Sequence, residues 1–492
     1  KGVHPRFAIG ESTIPQTSQL IQLIAREHGI PELEILGSPE KIRQHVTPSC
    51  GIKRIFGFAY HNEGREHDPT EAHQFGNHWR DENHLFRQDI DSWLFTVAMK
   101  YGCSVLQGAS IESVDIDDDG VAVVADEKRY TGQYIIDGNG IRSILAEHLD
   151  LREKPCGFRT NTRTLFTHMM GVREFEDVAP SKMSNPWKVG TLHHIFRRGW
   201  FWVIPFNNWE GATNPLVSVG LTLDADAWPQ DSDLTAEEEF EGFLQRFPSV
   251  GKQFEDAQAV RPWVRAPKIQ HSSTRTIGKR FTLLSHTAGF IDPLFSRGLI
   301  STMDHIRDLV PLLRGALADG DFSEERFEPL DVKQKASFSF ADKIVSAAYA
   351  SWDDFELWNL WLRYWAIGVH AAESNLGSVM LMGRHSTFQP VDAPIFSAFE
   401  PEGYRQMFGA GHAALMDYDD GKATREEDAE RLRAALDGQD IPIPLPDGRT
   451  GHEWAMKNPL CRDIFLGPEP NHERWLMGRV DAHLELDTAS VS

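Results

Sequence analysis

Apolar residues recur along the chain at two spacings, and each spacing predicts a different element. Over residues 16–27 they fall on one helical face, with Pro15 near the start and Gly29 just past the end, which predicts a helix. The same spacing predicts a second helix over residues 86–98. The stretch that follows, residues 101–108, reads as a strand. The chain therefore begins as a mixture of helices and strands.

From about residue 163 to 223, apolar and polar residues alternate in several short runs, which predicts an antiparallel sheet. One run, "GWFWVIP", places Trp200 and Trp202 two residues apart on a strand. Core packing explains that spacing, and so does a wall for a flat aromatic ligand, because a buried indole N–H needs a hydrogen-bond partner. The spacing alone leaves both interpretations open.

Two further stretches lead from a buried strand into a glycine turn. Residues 134–136 run into Asp137-Gly138-Asn139-Gly140, and residues 283–310 run through glycines into an amphipathic helix. Such a turn before a helix can bind an anion through its backbone N–H groups, and it can equally be an ordinary turn with a capped helix. For residues 283–310 the sequence supports these two interpretations about equally, whereas the turn at residues 137–140 is interpreted as one that contacts a bound ligand.

Beyond about residue 330 the pattern becomes that of long helices. Four tryptophans there fall mostly three or four residues apart, which indicates helix packing rather than a binding site. They are Trp352, Trp358, Trp361 and Trp365. Residues 417–450 are polar and contain proline, which predicts a surface helix followed by a loop.

Composition narrows the class of protein. The chain has 492 residues, enough for two or three domains, and its formal net charge of -22 argues against a nucleic-acid partner. The four cysteines are widely separated, so neither a metal site nor a disulfide framework is predicted, and a reducing cytoplasm is expected. No apolar run is long enough to cross a membrane.

Four segments, taken in order, carry a family resemblance. "IGESTIP", "GIKRIFGF", "GWFWVIP" and "GFIDPLFSRG" resemble the flavin-dependent halogenases, and within them the pyrrolnitrin-pathway branch that acts on a pyrrole ring in antibiotic biosynthesis. Residues 200, 202, 204 and 205 match the W-x-W-x-I-P motif of that family. The resemblance covers nearly the whole chain, and the motifs together are much more specific than any one of them.

The resemblance implies an α/β fold of the FAD-dependent monooxygenase type, with an antiparallel substrate sheet and a helical C-terminal region. The implied domains are the first part of the FAD-binding domain (1–160), the substrate-side sheet (161–275), an FAD-binding return segment with a halide loop (276–330) and a helical region over the substrate pocket (331–492). The family's first strand and G-x-G-x-x-G loop, which hold the ADP part of FAD, are absent from this chain, which alone is expected to bind FAD poorly.

The implied activity is halogenation of an electron-rich aromatic small molecule such as a pyrrole, phenol or aniline, either free or tethered to a carrier. Reduced FAD and O2 give a hydroperoxide, chloride or bromide attacks it, and a lysine relays the hypohalous acid to the ring; Lys53 matches that lysine. The backbone N–H groups of Arg297 and Gly298 match the halide site. A separate NAD(P)H-dependent flavin reductase is the implied partner.

Other residues acquire roles through the same resemblance. Phe295 stands where tryptophan-specific relatives carry a glutamate, so it is expected to contact the substrate, and free tryptophan is a disfavoured substrate. The residues matched to the flavin site are Glu11, Ser12, Arg87, Trp200, Trp202, Asp292 and Pro293. No metal is expected.

Two alternatives remain at this point. A flavin monooxygenase of the same fold would hydroxylate the ring rather than halogenate it, although the intact W-x-W-x-I-P motif and Lys53 argue against that activity. A binding protein that has lost its flavin would explain the missing nucleotide-binding loop.

Overall fold

The computed structural model of the protein describes residues 2–76, 81–183, 185–382 and 402–437. The helices of these ranges are α1 Pro15–His28, α2 Pro31–Leu36, α3 Pro39–His45, α4 Arg87–Lys100, α5 Ile144–His148, α6 Phe175–Val178, α7 Ala236–Arg246, α8 Pro248–Gln253, α9 Ser285–Ala288, α10 Arg297–Asp319, α11 Glu324–Ser351, α12 Phe355–Met382, α13 Glu402–Asp419 and α14 Arg425–Asp437. The strands are β1 Gly51–Lys53, β2 Ile55–Tyr60, β3 Ala72–Gly76, β4 Glu82–His84, β5 Ile111–Ile116, β6 Val121–Ala125, β7 Lys128–Gly132, β8 Ile135–Asp137, β9 Thr162–Met170, β10 Gly190–Phe196, β11 Gly199–Pro205, β12 Val217–Asp224, β13 Gln258–Ala259, β14 Val264–Ala266, β15 Ile277–Gly278 and β16 Phe281–Leu283.

The largest sheet has eight strands, with β13, β9, β12, β11, β10, β2 and β3 in spatial order and β14 also paired to β9. The antiparallel sheet predicted over residues 163–223 is confirmed, because β9, β12, β11 and β10 pair antiparallel in that order. Strand β2, which comes from earlier in the chain, joins this sheet by pairing in parallel with β10. A long connection separates these two strands, and parallel pairing requires such a crossover. The sheet thus combines strands from before and after residue 160, and the domain limits stay a prediction.

Strand β11 is buried on both faces and divides two hydrophobic cores. Trp200, Trp202 and Ile204 pack into one core, which also contains helices α1 and α12. Phe201 and Val203 point to the opposite core. The alternation seen in the sequence thus places both tryptophans on the same face of the sheet.

Several local predictions can be compared with the structure. The first helix is confirmed as α1, which ends at Gly29 in the left-handed region with φ 64°. The strand before the glycine turn is confirmed as β8, which pairs in parallel with β16. The prediction of a strand over residues 101–108 is wrong, because the segment is irregular and its apolar residues Val105 and Leu106 are exposed.

The helical layer covers one face of the large sheet through α11 and α12. All four tryptophans predicted to pack between helices are buried, and each of them contacts another aromatic ring. Trp352 differs in position, since it is the C-cap residue that follows α11 rather than a residue of α12. No helix in the described ranges is both long and apolar enough to cross a membrane.

Candidate active site

Lys53 is the last residue of β1, and its side chain is completely buried. Its Nζ donates to Ser12 Oγ at 2.7 Å and to the Thr13 carbonyl at 3.0 Å. The amine also lies 4.1 Å from the centre of the Phe56 ring. Burial lowers the pKa of Lys53 to about 7, because a charged amine is poorly solvated there. The amine can therefore exchange protons near neutral pH.

A buried carboxylate balances this amine. Glu82 on β4 is the register partner of Lys53, and its charge raises the pKa of Lys53 against the effect of burial. The Glu82 carboxylate accepts hydrogen bonds from the hydroxyls of Thr13 at 2.7 Å and Ser18 at 2.6 Å. Sequence reasoning missed Glu82, since nothing in the chain order shows that β1 and β4 pair.

The N-terminal loop, residues 9–14, meets the return loop, residues 289–296, beside Lys53. Ser296 Oγ lies 3.5 Å from Ser12 Oγ, the atom that accepts from Lys53. Ser296 has φ 52°, a left-handed backbone that is uncommon outside glycine, and α10 begins at the next residue. The two loops and Lys53 are therefore close together in the structure, although they are distant in sequence.

Glu11, matched to the flavin site, is tied to the sheet by both of its carboxylate oxygens. Oε1 lies 2.9 Å from His168 Nε2, and Oε2 accepts from Ser218 Oγ at 3.2 Å. Arg261 donates to His168 Nδ1 at 3.1 Å, so the neutral tautomer of His168 carries its proton on Nε2 and donates to Glu11. The side chain of Glu11 anchors the N-terminal loop to β9 and β12.

Arg87 also holds the N-terminal loop. It is the first residue of α4 and forms two hydrogen bonds with the Asp91 carboxylate, at 2.7 and 3.0 Å. Its Nη1 donates to the carbonyls of Ile9 and Gly10, each at 3.1 Å. Gly10 has φ 93°, a conformation that strains other residues. Arg87 therefore fixes the path of the loop toward Ser12.

Asp292 is the centre of the return loop. Its carboxylate accepts from the Thr162 hydroxyl at 2.9 Å, the Tyr349 hydroxyl at 3.2 Å and the Leu294 N–H at 3.0 Å. Burial nevertheless raises the pKa of Asp292 to about 7. The carbonyl of the following residue, Pro293, accepts from the backbone N–H of Ser296 at 2.9 Å. These bonds fold the loop tightly at the start of α10.

The two tryptophans of the motif connect the sheet to both loops. Trp200 Nε1 donates to the Tyr349 hydroxyl at 2.9 Å, and that hydroxyl bonds Asp292. Trp202 Nε1 donates to Ser218 Oγ at 3.3 Å, and Ser218 bonds Glu11. The rings lie 5.7 Å apart. The indole N–H groups thus have partners, and each one reaches a loop that was matched to the flavin site.

Phe295 lies at the end of the return loop with its side chain buried. Its ring stacks on Trp365 of α12, with centroids 5.0 Å apart and an interplanar angle of 27°. Trp365 in turn contacts Phe56, whose ring lies against the Lys53 amine. An aromatic wall therefore extends from the return loop to the lysine.

The N-terminus of α10 carries the residues matched to the halide site. The first backbone N–H groups of a helix have no partner within the helix and favour anions. The Arg297 guanidinium lies 5.2 Å from the centre of the Phe340 ring. A Cβ on Gly298 would lie 2.4 Å from His286 Nε2, so only glycine permits this approach. The imidazole of His286 therefore packs directly against Gly298.

A small cavity and an unpartnered buried polar atom lie beside the return loop. A cavity of about 40 Å³ lies between this loop and α11, bordered by His286, Asp292, Phe295 and Gly298 among others. The Nε2 atom of His286 is buried and has no hydrogen-bond partner among the described residues. Burial also lowers the pKa of His286 to about 4. The buried Nε2 atom of His286 lies beside the backbone of Gly298. A polar ring of a ligand that can form a hydrogen bond with this atom would suit the position.

Comparison with known proteins decides the family. Residues 58–359 match the family described as tryptophan halogenase. Monodechloroaminopyrrolnitrin halogenase PrnC of Pseudomonas fluorescens is 43% identical over 90% of this chain and 80% of its own length. Tetracycline 7-halogenase of Kitasatospora aureofaciens is 41% identical over 90% and 82%. The chain belongs to the flavin-dependent halogenases.

A solved structure supports the same assignment. Halogenase PltM, in complex with phloroglucinol and FAD, superposes on this halogenase with a TM-score of 0.84 at 33% identity, covering 89% of each chain. Membership makes this halogenase an oxidoreductase that uses FAD in its reduced form together with chloride or bromide. The FAD-dependent fold expected from the sequence is confirmed, and a binding protein without flavin is excluded.

In this halogenase the structure brings together most of the matched residues. Lys53, Ser12 and the return loop meet directly, and Glu11, Trp200 and Trp202 join them through hydrogen bonds. Arg87 contributes through the backbone of the N-terminal loop. The roles assigned to these side chains remain predictions. Sequence reasoning missed Tyr349, because its only signal was one tyrosine within a long helical pattern.

Proposed function

We propose that this halogenase transfers chlorine or bromine to an electron-rich aromatic or heteroaromatic small molecule, with Lys53 as the catalytic residue that delivers the halogen. The observation that carries the proposal is the position of Lys53, a fully buried amine at the junction of the N-terminal and return loops with a pKa of about 7. A group of this pKa is partly neutral at neutral pH and can act as a nucleophile.

Reduced FAD, when bound, would supply two electrons to O2, and O2 is the oxidant that converts the halide into hypohalous acid. The backbone N–H groups of Arg297 and Gly298 are proposed to hold the halide, since they open α10. His286, with its unpartnered Nε2, and the return loop around Asp292 are proposed to contact the flavin. A separate flavin reductase is the proposed source of the reduced cofactor.

The neutral amine of Lys53 then attacks the halogen of the acid. An N–Cl bond forms while the O–Cl bond breaks, and the hydroxide that leaves takes up a proton from the amine to become water. A ring carbon next attacks the chlorine, the N–Cl electrons return to nitrogen, and the proton that the ring loses offsets the proton that this nitrogen takes up. The amine is regenerated. Burial among Phe56 and the neighbouring rings limits escape of the oxidant to water.

The substrate class follows from the aromatic wall and from the relatives. Phe295 stacked on Trp365 offers a flat apolar surface rather than a partner for an amino-acid zwitterion. The named relatives act on, or are bound to, a pyrrolnitrin precursor, a tetracycline and phloroglucinol. Pyrrole, phenol or aniline-like rings, free or tethered to a carrier, are therefore proposed, with the helical region from residue 331 covering them.

The test is Lys53→Met, which keeps the length of the side chain and removes the amine. Product formation on a panel of pyrroles, phenols and anilines is expected to fall at least about 100-fold, because delivery is lost. Oxidation of reduced FAD and release of free hypohalous acid should continue, because they precede delivery. Product at the parental rate would show that Lys53 does not deliver the halogen.

A control separates chemistry from folding. Removing the amine takes away the positive charge of Lys53 that acts on the buried Glu82 carboxylate across the β1–β4 pair, which destabilises the fold. Lys53→Met combined with Glu82→Gln removes both charges. The double variant should unfold near the parental temperature and still form no product.

A further inference from the structure

A continuous chain of hydrogen bonds runs from Lys53 to the end of the W-x-W-x-I-P strand. Lys53 Nζ donates to Ser12 Oγ at 2.7 Å, and Ser12 Oγ lies 2.8 Å from Thr191 Oγ1. Thr191 Oγ1 lies 2.9 Å from His84 Nε2, and His84 Nδ1 lies 2.8 Å from the Pro205 carbonyl. All four side chains are buried. The chain joins β1, the N-terminal loop, β10, β4 and β11.

The direction of every bond can be assigned from its far end. The Pro205 carbonyl can only accept, so His84 Nδ1 carries a proton. Burial, aided by the positive charge of Lys53, lowers the pKa of His84 to about 3, so the ring is neutral and its Nε2 accepts. Thr191 must then donate its one hydroxyl proton to His84 and accept from Ser12. Ser12 is left with its lone pairs toward Lys53.

We propose that His84 and Thr191 are positioning residues for Lys53. By fixing the Ser12 hydroxyl as an acceptor, they hold the amine in one orientation beside the return loop and stabilise its charged form. The functional part of this proposal rests on the proposed delivery of halogen by Lys53. Thr191 and His84 belong to no family motif quoted from the sequence.

The charges around Lys53 allow this effect to be isolated. Glu82 on β4 raises the pKa of Lys53, and burial lowers it. His84 on β4 and His193 on β10 are both kept neutral by burial, which lowers the pKa of each to about 3. Neither histidine therefore titrates near the midpoint of Lys53. A change at Thr191 alters the hydrogen bonding of the amine without changing a charge.

Thr191→Val removes the hydroxyl at nearly constant volume. Ser12 then has no fixed acceptor, its hydroxyl can rotate, and the ammonium form of Lys53 loses an aligned partner. The titration midpoint of Lys53 is expected to move down by about half a pH unit or more, because polarised chains strengthen each bond. Halogenated product per flavin oxidised should fall several-fold, as a misaligned amine delivers less of the oxidant.

The experiment follows Lys53 itself by NMR of the enzyme labelled with ¹³C at lysine Cε, with Lys53→Met assigning the signal. Thr191→Ser keeps the hydroxyl and should restore the parental midpoint. Thr167→Val is the matched control, since Thr167 is a buried threonine of the same sheet whose hydroxyl donates to the Arg261 carbonyl at 2.9 Å. If Thr191→Val does not fold, Thr191→Ala replaces it.

The outcomes separate the two proposals. A lower midpoint in Thr191→Val, with parental values in Thr191→Ser and Thr167→Val, supports the positioning role. A parental midpoint in Thr191→Val would overturn it, even if Lys53→Met loses product. Conversely, product at the parental rate from Lys53→Met would overturn the proposal that Lys53 delivers the halogen. The titration of Lys53 would then still decide whether His84 and Thr191 position its amine.

Discussion

Tyr349→Phe tests how the tryptophan motif stabilises the return loop. The Tyr349 hydroxyl accepts from Trp200 and donates to Asp292, so its removal breaks two buried bonds and leaves the shape of the ring unchanged. The Trp200 N–H is then left without that acceptor, which costs about 1–3 kcal/mol of unfolding free energy at any pH. Asp292 loses one of its donors, and the cost of that loss depends on pH.

The sign of the pH dependence follows from the pKa of Asp292. Burial raises that pKa from an ordinary 3.8 to about 7, so the folded state binds more protons than the unfolded chain between these values. Stability therefore declines as the pH rises through this window. Without the Tyr349 donor the pKa rises further, the decline continues to higher pH, and about 1.4 kcal/mol is lost for each additional unit.

Urea unfolding at about pH 5.5 and about pH 8 measures both the pH-independent cost at Trp200 and the pH-dependent cost at Asp292, because these two pH values lie below and above the raised pKa of Asp292. Tyr349→Phe should lower the unfolding midpoint at both values, and more at the higher one. Tyr60→Phe is the control, because the buried Tyr60 hydroxyl donates to the Trp352 carbonyl at 3.0 Å and its loss should cost the same at both. An equal loss for Tyr349→Phe at both pH values would refute the assigned role of Asp292.

Two further substitutions test the packing around the site. Gly220→Ala places a Cβ 2.1 Å from the Trp202 ring, so we expect the free energy of unfolding to fall by about 1–3 kcal/mol and FAD binding to weaken in a fluorescence titration. Gly242→Ala is the control, because nothing lies within 4 Å of a Cβ there. Equal behaviour of the two variants would contradict the expectation. Phe295→Glu buries a carboxylate against Trp365 and should lower turnover of the native aromatic substrate in a product assay. Efficient, regioselective halogenation of free tryptophan by the unmodified enzyme would overturn the assigned role of Phe295.

Local patterns in the sequence predict local structure well. The alternation around Trp200 and Trp202 gives their strand and their shared face, and the periodicity after Pro15 gives α1 with its glycine end. These features depend on neighbours in the chain, so a single sequence contains their signal. The same is true of the glycine turn after β8.

Contacts between residues that are distant in sequence could not be predicted in this way. Glu82 and His84 reach Lys53 through the pairing of β1 with β4, and Thr191 reaches Ser12 because β10 runs parallel to β2. Neither pairing has a turn motif that would reveal it, and no pattern in the sequence predicted that β2 pairs with β10. The lysine could be found from its motif, but the groups that set its protonation could not.

The hydrogen-bond chain at Lys53 also has a consequence for biosynthesis of the protein. Its bonds join residues 41, 179, 107 and 121 positions apart. Closing such long loops is slow compared with forming helices or hairpins. While Pro205 is still inside the ribosome, neither the hydrogen-bond chain nor the sheet that buries Lys53 can be completed, so the amine stays exposed and keeps the basicity of an ordinary lysine. A nascent polypeptide therefore carries a protonated, weakly nucleophilic amine, and its reactive form arises only when the sheet has closed.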